Sequence, residues 1–264
     1  MTESSQASWV LILGGSSGFG LASAQLLAQK GYNIFIVHRT PKAKLNEVEI
    51  AYENIRHYGV KLESVNKNAV APENSDEIIS IIKSKTGLHN LKLFLFSVAD
   101  GNIKSLIKKG DETPLSFDDL NYTVNAMGLA FVMWSRKLFD EQLFSEKASI
   151  LAFTTEWVSK VYKNYAAVAF AKGVLEASSR YLAVELAPFG IRTNLINAGI
   201  TRTDALMAMP DAEKTLAYTQ KRNPFKRLTT PLDVAKVVCL LADDDAAWIN
   251  GEIIRVDGGE QIVF

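Results

Sequence analysis

Cysteine is nearly absent from this chain. The single Cys239 excludes a disulfide within it, and its place in the apolar helical run Val234 to Leu241 reads as a buried structural thiol. An excess of either charge is missing as well. The 29 basic side chains balance 29 acidic ones, which removes the electrostatic motive for a polyanion binder and argues against a nucleic-acid role. Long apolar runs are lacking too. The stretch behind the polar opening residues Met1 to Ser8 is far too short for a signal peptide or membrane span, so a soluble, cytoplasmic chain with no membrane partner is expected. The three histidines, His38, His57 and His89, are scattered without metal-ligand spacing, and no metal is expected. No Pro-, Gly- or Ser-rich linker, repeat or low-complexity tract interrupts the chain, so its 264 residues read as one domain.

What is present is a large apolar fraction, 48%, arranged as short β-rich runs alternating with longer amphipathic segments. Strands are expected at Trp9 to Leu13, Asn33 to His38, Lys61 to Val65, Leu91 to Ser97, Ala148 to Thr154, Arg192 to Asn197 and Glu252 to Val256. Helices are expected near Gly18 to Lys30, Lys42 to Tyr58, Ser75 to Lys85, Phe117 to Phe139, Tyr165 to Ala187 and Pro231 to Ala242. Strands separated by helices demand a parallel sheet covered on both faces, an α/β, doubly wound single domain of about seven strands. Thr201 to Asn223 stands apart. It follows a strand end, is longer than an ordinary connection and contains Leu206, Met207 and Met209, which suits a substrate-covering lid. The two methionines fit ordinary packing as well as an acyl pocket.

The run Leu13-Gly14-Gly15-Ser16-Ser17-Gly18-Phe19-Gly20 leaves the first expected strand and opens the first expected helix. A pyrophosphate must approach bare backbone N–H groups and the positive end of a helix dipole, and only glycines leave that room. This order is what a bound dinucleotide needs, with Gly14, Ser16, Ser17, Gly18, Phe19 and Gly20 around it; the competing reading is a turn that is merely tightly packed. The second strand ends in Val37-His38-Arg39-Thr40, where the adenine ribose would lie. An acidic residue there would hold the ribose hydroxyls of NAD. Arg39, beside His38, instead offers a planar cation to a 2′-phosphate, so NADPH (NADP+) is the expected cofactor. An ordinary solvated charge at a strand end is the competing reading of Arg39.

The spacing Gly14-x3-Gly18-x-Gly20 resembles that of the short-chain dehydrogenase/reductase family, with Leu13 where its usual Thr would stand. The resemblance implies a Rossmann-type sheet and spans essentially the whole chain, down to the closing segment Gly251 to Gly259. By the same register Asn68 and Ala69 lie beside the adenine, in place of Asp-Val, and an amide can still donate to and accept from its edge. Ser97-Val98-Ala99 stands where the family commonly has Asn-Asn-Ala-Gly. That run resembles the Ser-Ile-Ala or Ser-Ile-Gly of the family's enoyl-acyl-carrier-protein reductase branch. Ala198-Gly199-Ile200-Thr201-Arg202-Thr203 has Ala-Gly for the usual Pro-Gly, again like that branch, and should meet the nicotinamide carboxamide and the phosphates.

The expected catalytic helix departs from the ordinary Tyr-x3-Lys, because Val168 stands four before Lys172 and has no proton to give. Tyr165 stands seven before it. A seven-residue step is close to two helical turns, so both side chains share one face, and Tyr165-x6-Lys172 resembles the enoyl-reductase pattern. Moving the phenol three residues shifts it about 4.5 Å along the helix axis, which suits conjugate reduction, where hydride lands two bonds from the carbonyl carbon. Tyr162 is a rival phenol at the helix entrance. Asn125 begins a match to the family's Asn-x-x-Gly, whose Asn holds a water on the proton relay, and Thr155 falls where the family's catalytic Ser would be.

These residues imply an NADPH-dependent reductase of an enoyl thioester carried on acyl carrier protein or coenzyme A. A carbonyl reductase of the same family and a non-catalytic NADPH-binding scaffold are the alternatives. The family resemblance further implies a homotetramer built through the two long helices and the last strand. The patches Lys104, Lys108, Lys109 and Lys221, Arg222, Lys226, Arg227 read as solvated faces or as docking points for an acidic acyl carrier.

Overall fold

The computed structural model describes residues 7–108 and 110–263; residues 1–6 of the polar opening segment and Lys109 of the first basic patch lie outside the described residues. Seven apolar stretches form the strands β1 (Trp9–Leu13), β2 (Asn33–His38), β3 (Leu62–Asn66), β4 (Leu91–Phe96), β5 (Phe144–Thr154), β6 (Arg192–Ala198) and β7 (Ile253–Val256). They pair in parallel in the order β3-β2-β1-β4-β5-β6-β7. The helices are α1 (Gly18–Gln29), α2 (Leu45–Arg56), α3 (Ser75–Thr86), α4 (Phe117–Val124), α5 (Ala130–Asp140), α6 (Ala166–Leu186), α7 (Asp204–Met207), α8 (Ala212–Arg222) and α9 (Pro231–Ala242). This is the expected single-domain, Rossmann-type α/β fold.

Alternation along each strand sends neighbouring residues to opposite faces of the sheet. In β1, Trp9, Leu11 and Leu13 join one apolar cluster with Ile82 of α3, Trp134 of α5 and Leu175 of α6. Val10 and Ile12 join the other, with Leu27 of α1, Tyr52 of α2 and Val238 of α9. Each large side chain so buried stabilises the fold by roughly 1.5–3 kcal/mol relative to leaving it in water. Cys239 is buried in α9, and burial pushes its thiol pKa up to about 11.

Two expectations need correction. The helix expected over Phe117 to Phe139 is not uniform: α4 and α5 are joined by a π-helical stretch, Asn125–Leu129, where Ala130 N–H bonds back to the Asn125 carbonyl. The widened turn follows from packing, since α6 comes so close that a Cβ on Gly128 would sit 2.8 Å from the Ala171 carbonyl oxygen. Hydrophobic periodicity carries no trace of such a contact. The connection over 201–223, for which no helix was expected, folds as α7 and α8, with Asp211 in the left-handed region (φ 59°) between them.

Trp134 is fully buried and its Nε1–H donates to the Ala69 carbonyl at 2.8 Å. Trp134→Phe is expected to lower stability by about 1–3 kcal/mol, because it leaves that carbonyl buried without its donor. Unchanged urea midpoints would refute this role for the hydrogen bond.

Candidate active site

Parallel strands bring all their carboxyl ends to one edge of the sheet, and the loops leaving β1, β2, β4, β5 and β6 gather there. Beyond Leu13 the chain turns at Gly14 (φ 90°) into α1, and the fit is tight. A Cβ on Gly20 would lie 2.1 Å from the Gly14 carbonyl oxygen, and one on Gly14 would lie 2.4 Å from that of Ser97. A side chain at either place would push the first turn of α1 off β1 and β4. The N-terminus of α1 is also bare: Ser17 is its N-cap residue but makes no capping hydrogen bond, whereas Ser116 and Thr230 close capping boxes on α4 and α9. First-turn N–H groups and the positive dipole end stay available to an anion.

The second half of the site lies on α6. Lys172 is only 7% exposed, and its Nζ donates to the Phe153 carbonyl at 2.7 Å. Burial pushes its pKa down to about 8, against the opposing field of Glu176, which itself accepts from Thr154 Oγ1 at 2.6 Å. Tyr165 occupies the N-cap of α6, with its ring edge-on to Trp157 and Tyr162 at 4.7 and 6.2 Å between centroids. Burial raises its phenol well above the ordinary pKa, so it stays protonated at neutral pH. Among the described residues nothing hydrogen-bonds the Tyr165 hydroxyl, whereas that of Tyr162 is tied to Thr215 Oγ1 of α8 at 2.8 Å. Val168 is buried among Ala126, Met127 and Ala171. From above, Leu206, Met209 and Leu216 of the 201–223 segment form an apolar cluster with Ile200, packed on Trp157, Tyr162 and Tyr165.

Comparison with known proteins decides the family. The model described as Enoyl-(Acyl carrier protein) reductase matches residues 14–261. The chain belongs to this family of short-chain reductases. It is 31% identical over 187 residues to the enoyl-acyl-carrier-protein reductase (NADH) 2 of Rhizobium meliloti, spanning 71% of this chain and 68% of that one. It is 27% identical over 255 residues to 1-cyclohexenylcarbonyl-CoA reductase of Streptomyces collinus, spanning 96% and 86% respectively. The crystal structure of the Bacillus cereus enoyl-acyl carrier protein reductase with NADP+ and indole naphthyridinone superimposes with a TM-score of 0.86, at 25% identity and 98% coverage of both chains.

As a member of this family the protein is an oxidoreductase that uses a nicotinamide cofactor, and the residues present fit one. The bare first turn of α1 and the room kept by Gly14 and Gly20 suit a pyrophosphate. Phe19 packs against Phe153, 5.1 Å between centroids, which holds the turn to β5. Thr203 brings its methyl within 3.6 Å of where a Cβ on Gly18 would stand, so the start of α7 lies beside the glycine turn, and Thr203 Oγ1 caps α7 by accepting from Leu206 N–H.

Other expected positions make contacts within the protein. The His38 ring is buried, edge-on to Tyr52 of α2 at 5.7 Å and bonded through Nδ1 to Thr40. Asn68 Oδ1 accepts from Val70 N–H, while the Ala69 carbonyl serves Trp134. Thr155 Oγ1 caps the short turn at Trp157, and Thr201 Oγ1 donates to the Gly199 carbonyl. Asn125 has an exposed side chain; its position contributes the π-helical backbone. Three cations of the basic patches pair with carboxylates: Lys104 with Asp119, Arg222 with Glu156 and Arg227 with Asp233. Sequence reasoning missed Trp157, Thr215 and the buried pair Glu156 and Glu260, the latter accepting from Ile200 N–H at 2.9 Å. Only the aromatic density of Trp157 to Tyr165 hinted at the first, and separations of 53 and 60 residues hid the others' partners.

A lysine whose pKa falls on folding carries fewer protons in the native than in the unfolded state between about pH 8 and 10.5, so stability rises with pH across that window. Wild type is therefore expected to gain stability relative to Lys172→Met over that range. A difference in urea midpoint that stays flat would show that Lys172 titrates as an ordinary surface lysine.

Proposed function

We propose that the protein reduces the carbon–carbon double bond of an enoyl thioester, held on acyl carrier protein or coenzyme A, with NADPH as reductant. The observation that carries the reading is the Tyr165 and Lys172 pair. Val168 replaces the ordinary phenol, Tyr162 is occupied by Thr215, and Tyr165 alone of these presents an unbonded, protonated hydroxyl. When bound, NADPH supplies the hydride that reaches the carbon β to the thioester carbonyl. Tyr165 then donates a hydrogen bond to the thioester oxygen as enolate charge develops, which stabilises the transition state more than the ground state. Lys172, with a pKa near 8, would hold the ribose hydroxyls as an ammonium and can resupply, through Tyr165, the proton that the α-carbon of the enolate takes to complete the saturated thioester. The apolar inner face of α7 and α8 excludes water from this half of the site as a lid would.

Arg39 supports NADPH over NADH. Its guanidinium stands at the end of β2, whose own residues offer no carboxylate to a bare ribose, and although it pairs with Asp100 of the loop after β4 at 3.0 Å, its side chain is 57% exposed. The reading includes a cytoplasmic homotetramer, supported by exposed Leu129, Phe170, Tyr181 and Val184 along the π-helical stretch and α6; a monomer in light scattering would reject that assembly.

One experiment tests both halves: oxidation of NADPH and NADH with crotonyl and acetoacetyl thioesters side by side, products identified by mass. Crotonyl thioester is expected to be reduced and acetoacetyl thioester not; the reverse would make this a carbonyl reductase. Tyr165→Phe should lower kcat about a hundredfold or more with NADPH affinity nearly intact, since the lost interaction belongs to the transition state. Arg39→Ala should weaken NADPH roughly tenfold and NADH little. Full turnover by Tyr165→Phe, with loss in Tyr162→Phe, would move the active phenol to Tyr162.

A further inference from the structure

We propose that Asp100 sets how sharply this site distinguishes NADPH from NADH, by competing with the 2′-phosphate for Arg39. The inference rests on the reading of Arg39 as the phosphate's cation. Arg39 follows β2 and Asp100 lies in the loop after β4, and these strands flank β1 on either side. Their side chains meet across the carboxyl end of β1, with Arg39 Nη2 3.0 Å from Asp100 Oδ2. The same oxygen accepts from the Tyr122 hydroxyl of α4 at 2.6 Å.

The two partners differ in freedom. The Arg39 side chain is 57% exposed on a long stem, while that of Asp100 is 23% exposed. The Asp100 loop is also pinned to α4, because Asn102 N–H donates to Thr123 Oγ1 at 3.0 Å. Arg39 can therefore swing to a ligand and the carboxylate cannot withdraw. A surface ion pair of this kind is weak enough to be exchanged for a phosphate. The phosphate then sits near a fixed negative charge, which repels it and draws on the same guanidinium. NADH meets no such cost, and its free ribose hydroxyl can donate to Asp100. The acidic residue missing at the end of β2 is in effect supplied from two strands away, and it narrows the preference that Arg39 creates.

Fluorescence titration of the whole protein with NADPH and with NADH reads this directly. Asp100→Asn removes the charge and keeps an acceptor for Tyr122; it is expected to tighten NADPH about fivefold to tenfold and to change NADH less than about twofold. Asp100→Ser, a second way to remove the charge, should raise the NADPH to NADH affinity ratio in the same direction. An unchanged or lowered ratio in both variants overturns the inference. Arg39→Ala separates its failure from that of the cofactor reading. If Arg39→Ala abolishes the preference while the Asp100 variants leave it alone, Arg39 selects without Asp100. If Arg39→Ala leaves the ratio unchanged as well, the NADPH reading itself falls, and this inference with it.

Discussion

Seven strands running in one direction constrain everything else in this molecule. A parallel sheet cannot be closed by hairpins, so each strand needs a crossover, and the crossovers cover both faces with apolar helix surface. Most side chains on the central strands are consumed by the two cores. What remains for chemistry is the edge where the carboxyl ends emerge. The glycine turn, Arg39, Ser97, Thr155 and Ala198 all lie there, although they are far apart in the chain.

That edge divides into a wet half and a dry half. Around Arg39, Asp100 and the first turn of α1, charges remain in contact with solvent, and exchange of one ion for another is cheap. Around Tyr165 the apolar inner face of α7 and α8 packs on Trp157 and Tyr162, and Lys172 is buried below. Burial there moves both groups: the phenol becomes a firmer proton holder and the ammonium a readier proton donor.

Much of the fold was legible because its signals are local. Strand runs, helical periodicity and the glycine turn each depend on residues within a helical turn or two, and the boundaries of β1, β2 and α9 coincide with the expected ones. The π-helical stretch, the burial of His38 against Tyr52 and the pairing of Arg222 with Glu156 and of Arg227 with Asp233 were not legible. The last two give carboxylate partners to two of the four cations of the second basic patch. Each depends on which element packs on which, and a charge looks the same in sequence whether its partner is water or a carboxylate.

By itself the sequence determined the order of strands and helices, the glycine turn that keeps room at the start of α1, and the valine at 168 with Tyr165 seven before Lys172. These follow from backbone sterics and helical period, which act over a few residues. Tertiary structure alone decided which tyrosine is free, since Thr215 claims Tyr162 from 53 residues away. It also decided that Lys172 titrates near 8 and that Arg39 already has a counterion in Asp100. Solvent exposure and long-range pairing determine proton affinity and charge balance, and both exist only once the chain has folded.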